Sequence, residues 1–178
     1  ANVHAYDISS NATQMVHRRA EATGVADRVT TEVTGVFDQA FAGQTFDAVM
    51  GYAALHHIPL EGMAERVYDR LKPGGVAVFA EPVINSRWLY ALRQCVPYYI
   101  DDPTEDEVPL NDADIHALAR PFDRMQVRYF QVTSRVWRIW AHNWALAKGL
   151  HQLDHLLLKL PGVQKLGTVA VFGLHRDR

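Results

Sequence analysis

The sequence predicts an α/β fold built on a doubly wound parallel sheet. Two observations carry this. Apolar runs of strand length alternate with stretches whose apolar residues recur every three or four positions, and short Gly or Pro joints separate them. Such strand–helix–strand repetition is what right-handed parallel crossovers produce.

Val3-His4-Ala5-Tyr6 reads as a short strand ending at Asp7. Ser9-Ser10-Asn11 then offers side-chain oxygens for the free N–H groups of a first helical turn. Over Ala12–Ala22, Met15, Arg19 and Ala22 share one side, which is expected to be buried with the Arg stem along it. Gly24 suits a left-handed C-cap. Val29–Val36 is the second strand, followed by a polar-aromatic loop from Phe37 to Thr45. Phe46–Tyr52 is mostly apolar, as expected of a strand buried on both faces. A helix over about Leu60–Leu71 follows, with Met63, Val67 and Leu71 in one stripe and Pro73-Gly74-Gly75 ending it. Val76–Ala80 is a further buried strand, ending at Glu81-Pro82.

The second half is organised differently. Val83–Tyr99 reads as a helix with Trp88, Leu89, Leu92 and Val96 on one side, and an acidic loop, Asp101–Glu107, follows. Asn111 or Asp112 can cap a short helix through Ala119. Met125–Thr133 and Thr168–Leu174 read as strands, the latter alternating Ala170, Phe172 and Leu174 against Val169, Val171 and Gly173. Between them Trp137, Trp140 and Trp144, then Leu146, Leu150, Leu153, Leu157 and Leu160, keep helical spacing until Pro161-Gly162. Two readings stand for residues 136–160: helices packed on the core, or an apolar lid that doubles as a peripheral membrane contact.

The chain has 178 residues, 48% hydrophobic and 21% charged, with net charge -2. That suits one domain with its own core, and argues against a protein built to grip nucleic acid. One cysteine, Cys95, gives no internal disulfide, and no uninterrupted apolar run approaches the ~20 residues of a membrane span. The expected location is cytoplasmic, with the membrane-peripheral variant attached to residues 136–160. Oligomeric state is not readable. His151 and His155 are four apart, but no third ligand accompanies them, so no metal is expected.

Ligands of open parallel sheets bind beyond the C-terminal strand ends. Asp7, Gly35-Val36, Gly51-Tyr52 and Glu81 crowd that edge. A carboxylate there accepts from two ribose hydroxyls, or simply caps the following helix; position alone leaves Asp7 open between the two.

In order along the chain stand Tyr6-Asp7-Ile8-Ser9, Asp27-Arg28-Val29, Thr45-Phe46-Asp47-Ala48-Val49, Ala54-Leu55-His56-His57-Ile58-Pro59 and Leu71-Lys72-Pro73-Gly74-Gly75. Together, over roughly residues 1–82, these pieces resemble the class I S-adenosylmethionine-dependent methyltransferases from their second strand onward. The resemblance implies a Rossmann-like fold with an antiparallel last strand, formed by residues 125–133 and 168–175. It implies one domain over 1–178, incomplete at its start: a cofactor core over 1–82 and helical substrate or lid insertions over 83–124 and 134–167. It implies S-adenosyl-L-methionine as cofactor and a small-molecule acceptor, apolar or amphipathic. By the same resemblance Asp7 holds the ribose diol, Ile8 lies beside the adenine, Gly35 and Val36 meet the adenine, and Gly51 lies where the methionine end passes. The family often has Asp at the Gly35 position; Gly35 offers only its backbone.

The family's first, central strand and its glycine-rich loop have no counterpart, since no Gly-x-Gly-x-Gly occurs. The chain also opens Ala-Asn-Val-His, already at a strand. The expectation is a C-terminal portion of a longer bacterial enzyme, inactive alone, whose strands ending at Asp7 and Tyr52 either flank a gap or meet. Candidate bases are His56, His57 and Glu81. Each has a plainer role: a turn-stabilising hydrogen bond for the histidines, a strand end for Glu81. Two other classes stay open. A nicotinamide-dependent oxidoreductase fragment shares the acidic strand end but not Leu55-His56-His57 or the closing pair. A non-catalytic methyltransferase-like subunit fits Gly35 and the missing loop.

Overall fold

The structure, a computed structural model, describes residues 1–35, 43–86, 91, 109–134 and 144–177. The chain divides into two compact units, Ala1–Gln44 and Thr45–Arg178.

In the first unit, β1 (Val3–Asp7) pairs in parallel with β2 (Val29–Val33), and α1 (Ser10–Ala22) joins them. Ser9 caps α1 by accepting from the Ala12 N–H, and Gly24 turns out of the helix at φ 70°. The buried face of α1 is Thr13 and Ala20, not the expected Met15 stripe; Met15 is 52% exposed. The helix lies against β1 and β2 through its smaller side chains, which lets the backbones come closer. β2 stops at Val33, three residues short of the expected end.

The second unit holds a four-stranded mixed sheet in the order β3-β4-β6-β5: Phe46–Tyr52, Leu71–Pro82, Val169–His175 and Arg124–Phe130. β3 and β4 are parallel, and β6 runs antiparallel to both β4 and β5. The expected antiparallel closing pair is therefore present. α2 (Met63–Arg70) buries Met63 and Val67, with Leu71 directly after it. The guanidinium of Arg176 donates to the Tyr68 and Leu71 carbonyls at 2.9 and 2.7 Å, satisfying groups that the helix end leaves open.

β4 begins earlier than expected. Leu71 already pairs with Phe46, and the register shifts before Ala48 meets Val76. Pro73 and Gly74 form the irregularity, with Gly74 at φ 81°. A Cβ on Gly75 would lie 2.8 Å from the Lys72 carbonyl, so only glycine fits. The alternation of β6 is as expected: Ala170, Phe172 and Leu174 face the core.

Three expectations are corrected. β3 is not buried on both faces: Met50 is 80% and Tyr52 84% exposed. Among the described residues β3 has one strand neighbour, β4, and β1 likewise has only β2, so each presents an unpaired edge. Val83–Ser86 is not helical; Val83 instead forms a parallel bridge to Leu110. The rest of the expected helix to Tyr99, except residue 91, lies outside the described residues, as do the acidic loop Asp101–Glu107, Cys95, Trp137 and Trp140. Of the Trp/Leu stretch, α4 (Trp144–Leu157) is described, and its apolar stripe is not fully buried core: Trp144, Leu146 and Leu153 are exposed, while Leu150 and Leu157 are half-buried. The buried residue of α4 is Asp154. The short helix before it, α3 (Asp112–Leu118), is capped by Asn111 as expected, in a reciprocal box with Asp114.

Candidate active site

In the first unit the parallel pairing sets Asp7 opposite Val33, and the Thr34 N–H donates to the Asp7 carbonyl at 3.1 Å. Asp7, Ile8 and Gly35 thus share the C-terminal end of the two strands. One carboxylate oxygen of Asp7 accepts from the Ser9 N–H at 2.7 Å, closing a turn ahead of α1, whose cap is Ser9 itself. The other oxygen accepts no bond among the described residues, and a carboxylate retains capacity for two further donors. Ile8 beside it is 82% exposed, an apolar surface next to an acceptor. Val36 lies outside the described residues.

In the second unit Gly51 sits near the end of β3. A Cβ there would lie 2.6 Å from the Phe79 ring, so the absent side chain lets β3 pack against β4. Ala53 then turns at φ 49°, a left-handed conformation that costs a non-glycine residue energy and is held by its N–H bonding to the Ala80 carbonyl. This turn delivers residues 54–57 to Glu81.

Glu81 is wholly buried, and its two oxygens do different things. Oε1 accepts from the backbone N–H groups of Ala54 and Leu55 at 2.9 and 3.0 Å. Oε2 lies 2.9 Å from Nδ1 of His56, whose side chain is 8% exposed. The His56 and His57 rings are 3.9 Å apart. Both line a cavity of about 420 Å³ with Pro59, Leu110 and Asp114. The structure thus brings together His56, His57 and Glu81, read separately from the sequence as candidates. It also shows why the turn needs the carboxylate: without it two N–H groups lose their acceptor.

A neighbouring cavity of about 630 Å³ shares the 110–114 wall and is lined by Asn85, Asn111, Asp112 and Lys165. Tyr129 donates its hydroxyl to Asp112 at 2.5 Å; burial, and then this bond and the carboxylate's charge, push the phenol's pKa well up. Sequence reasoning named Asp112 only as a cap and missed Asn85 and Lys165. The available signal was positional, since Asn85 follows the C-terminal end of a parallel strand. Among the described residues no group of three His, Cys, Asp or Glu side chains could hold a metal ion. No described helix is long and apolar enough to cross a membrane.

The architecture is Rossmann-like, with a mixed sheet and hollows beyond the parallel strand ends. Residues 1–75 match the family described as a methyltransferase domain. The chain is similar in structure to StiE O-MT (TM-score 0.58, 16% identity, 99% of this chain and 60% of that one). It is similar to a geranyl diphosphate methyltransferase solved with SAM (0.61, 14%, 99% and 69%). It is also similar to the geranyl diphosphate C-methyltransferase of Streptomyces coelicolor, solved with S-adenosyl-L-homocysteine (0.60, 14%, 98% and 61%). At these identities the likenesses speak to the fold, and the chain spans about three fifths of the first of these proteins. The family match speaks for residues 1–75, and the structural likenesses speak for a Rossmann-like fold.

Proposed function

We propose that the protein transfers a methyl group from S-adenosyl-L-methionine to a small acceptor, amphipathic in character. The observation that carries this reading is the exposed Asp7 carboxylate at the end of β1, beside exposed Ile8, within a segment that matches a methyltransferase domain. Asp7 would hold the ribose hydroxyls, and Ile8 and Gly35, with Val36, would border the adenine. In the second unit Gly51 is the position assigned to the methionine end.

When bound, the sulfonium supplies an already electrophilic methyl group, so the protein's share is alignment, exclusion of water and, for a protonated nucleophile, a base. His56 is placed for that last task. With Nδ1–H donated to Glu81, its Nε2 carries the lone pair and can take a proton from an acceptor in the adjoining cavity. Exposed Trp144, Leu146 and Leu153 on α4 support an acceptor with apolar parts.

Calorimetric titration of S-adenosyl-L-homocysteine into the protein as encoded tests the reading. Binding is expected, and Asp7→Ala should weaken it about tenfold or more, the worth of one charge-assisted hydrogen bond. Absence of binding to a folded protein, or an unaffected Asp7→Ala variant, would overturn it.

A further inference from the structure

Asn85, which lines the larger cavity, carries a buried donor with no partner among the described residues. Asn85 accepts the Asp112 N–H at 2.7 Å on Oδ1. Because a backbone N–H can only donate, this bond fixes the orientation of the amide. Nδ2 is then left buried with no hydrogen-bond partner among the described residues. Burying an unpaired N–H costs stability, and such groups in folded proteins call for a reason. Capping the Asp112 N–H does not supply one. An aspartate in place of Asn85 would accept the same bond and leave no orphaned donor.

The surroundings suggest what the donor is for. Asn85 lines the cavity with Lys165 and Asp112. Lys165 is exposed and makes no ion pair among the described residues, so its ammonium is available at the same hollow. Asp112 is held on two sides, by Asn85 through its N–H and by the Tyr129 hydroxyl through its carboxylate. The wall is therefore fixed in place, as a recognition surface needs. The segment 110–114 also borders the hollow of His56 and His57.

We infer that Asn85 Nδ2 and Lys165 form an acceptor subsite that binds an sp² oxygen, the carbonyl of a carboxylate or of a carboxamide, on the molecule to be methylated. This rests on the methyl-transfer reading and adds a substrate class to it. The carbonyl end sits at Asn85 and Lys165, and the remainder of the acceptor extends along the shared wall toward His56.

The test follows the side-chain amide of Asn85 by nitrogen-15 NMR in the protein as encoded, its signals assigned by their loss in Asn85→Asp. Hexanoate, hexanamide and hexylammonium are titrated in turn. A saturable shift of the Asn85 amide with hexanoate or hexanamide, absent with hexylammonium, is expected. Which of the two shifts it tells a carboxylate from a neutral carbonyl. Lys165→Met, on the surface and neutral to folding, should weaken hexanoate about tenfold. Asn85→Asp should abolish hexanoate binding, read by calorimetry because the reporter amide is gone, while leaving the thermal transition in place. A shift with hexylammonium alone, no shift with any probe, or full hexanoate affinity in Lys165→Met would overturn the inference. S-adenosyl-L-homocysteine binding, measured on the same sample, separates the two readings: binding without any Asn85 shift leaves methyl transfer standing and removes the subsite.

Discussion

At the scale of single residues, Glu81 decides more than any other group in the second unit. Its Oε1 closes the turn after β3 and its Oε2 sets the tautomer of His56. Glu81→Gln separates these roles. The amide oxygen still accepts from Ala54 and Leu55, but the amide NH2 now faces Nδ1 of His56. That nitrogen must then become the acceptor, which moves the proton to Nε2 and removes the free lone pair. Turnover should fall about 10²- to 10⁴-fold, the range of a lost general base. Cofactor binding should be unchanged. A variant with full turnover would show that His56 serves the turn and not the reaction.

At the scale of elements, α4 shows where the sequence could and could not be read. The Leu spacing from Leu146 to Leu160 announces a helix, and one is there from Trp144 to Leu157. Periodicity does not say what a stripe packs on, and here Leu153 and Leu156 face outward while Asp154 is buried. Its carboxylate accepts from the N–H groups of Val132, Thr133 and Ser134 and from both hydroxyls, at 2.5 to 3.2 Å. Burial works to raise the pKa of Asp154, but the bonds from Ser134 and Thr133 outweigh it and hold the carboxyl below its ordinary value. A group depressed in the folded state stabilises the fold above its unfolded pKa, about 3.9, and that contribution is lost as pH falls through the folded value. Asp154→Ala should therefore cost about 3 kcal/mol at neutral pH, because several buried donors lose their acceptor. The deficit should shrink below about pH 4, where the parent loses the same bonds. Urea denaturation at both pH values measures this, and an equal deficit at both would show that the carboxylate's charge plays no part.

At the scale of the molecule, strand positions were legible and burial was not. Runs such as Val76–Ala80 and the alternation Val169–Leu174 marked which segments are strands, because their periods are local. The exposure of Met50, Tyr52 and Ile8 depends on which strands lie beside β1 and β3, which no local pattern records. The same fact predicts unequal stability. The first unit has a two-stranded sheet, a size that is marginal in water, and Thr13 and Ala20 are the buried residues of its helix. The second buries Met63, Leu71, Phe172 and Leu174 around four strands. Hydrogen exchange should therefore open β1 and β2 at lower free energy than β4 and β6, as separate cooperative segments. Saturating S-adenosyl-L-homocysteine should slow exchange at residues 3–8 most. At a hundredfold excess over its Kd the gain is about 2.7 kcal/mol, if the opened segment does not bind. Protection that rises at β6 but not at β1 would place the nucleoside elsewhere and remove Asp7 from the site.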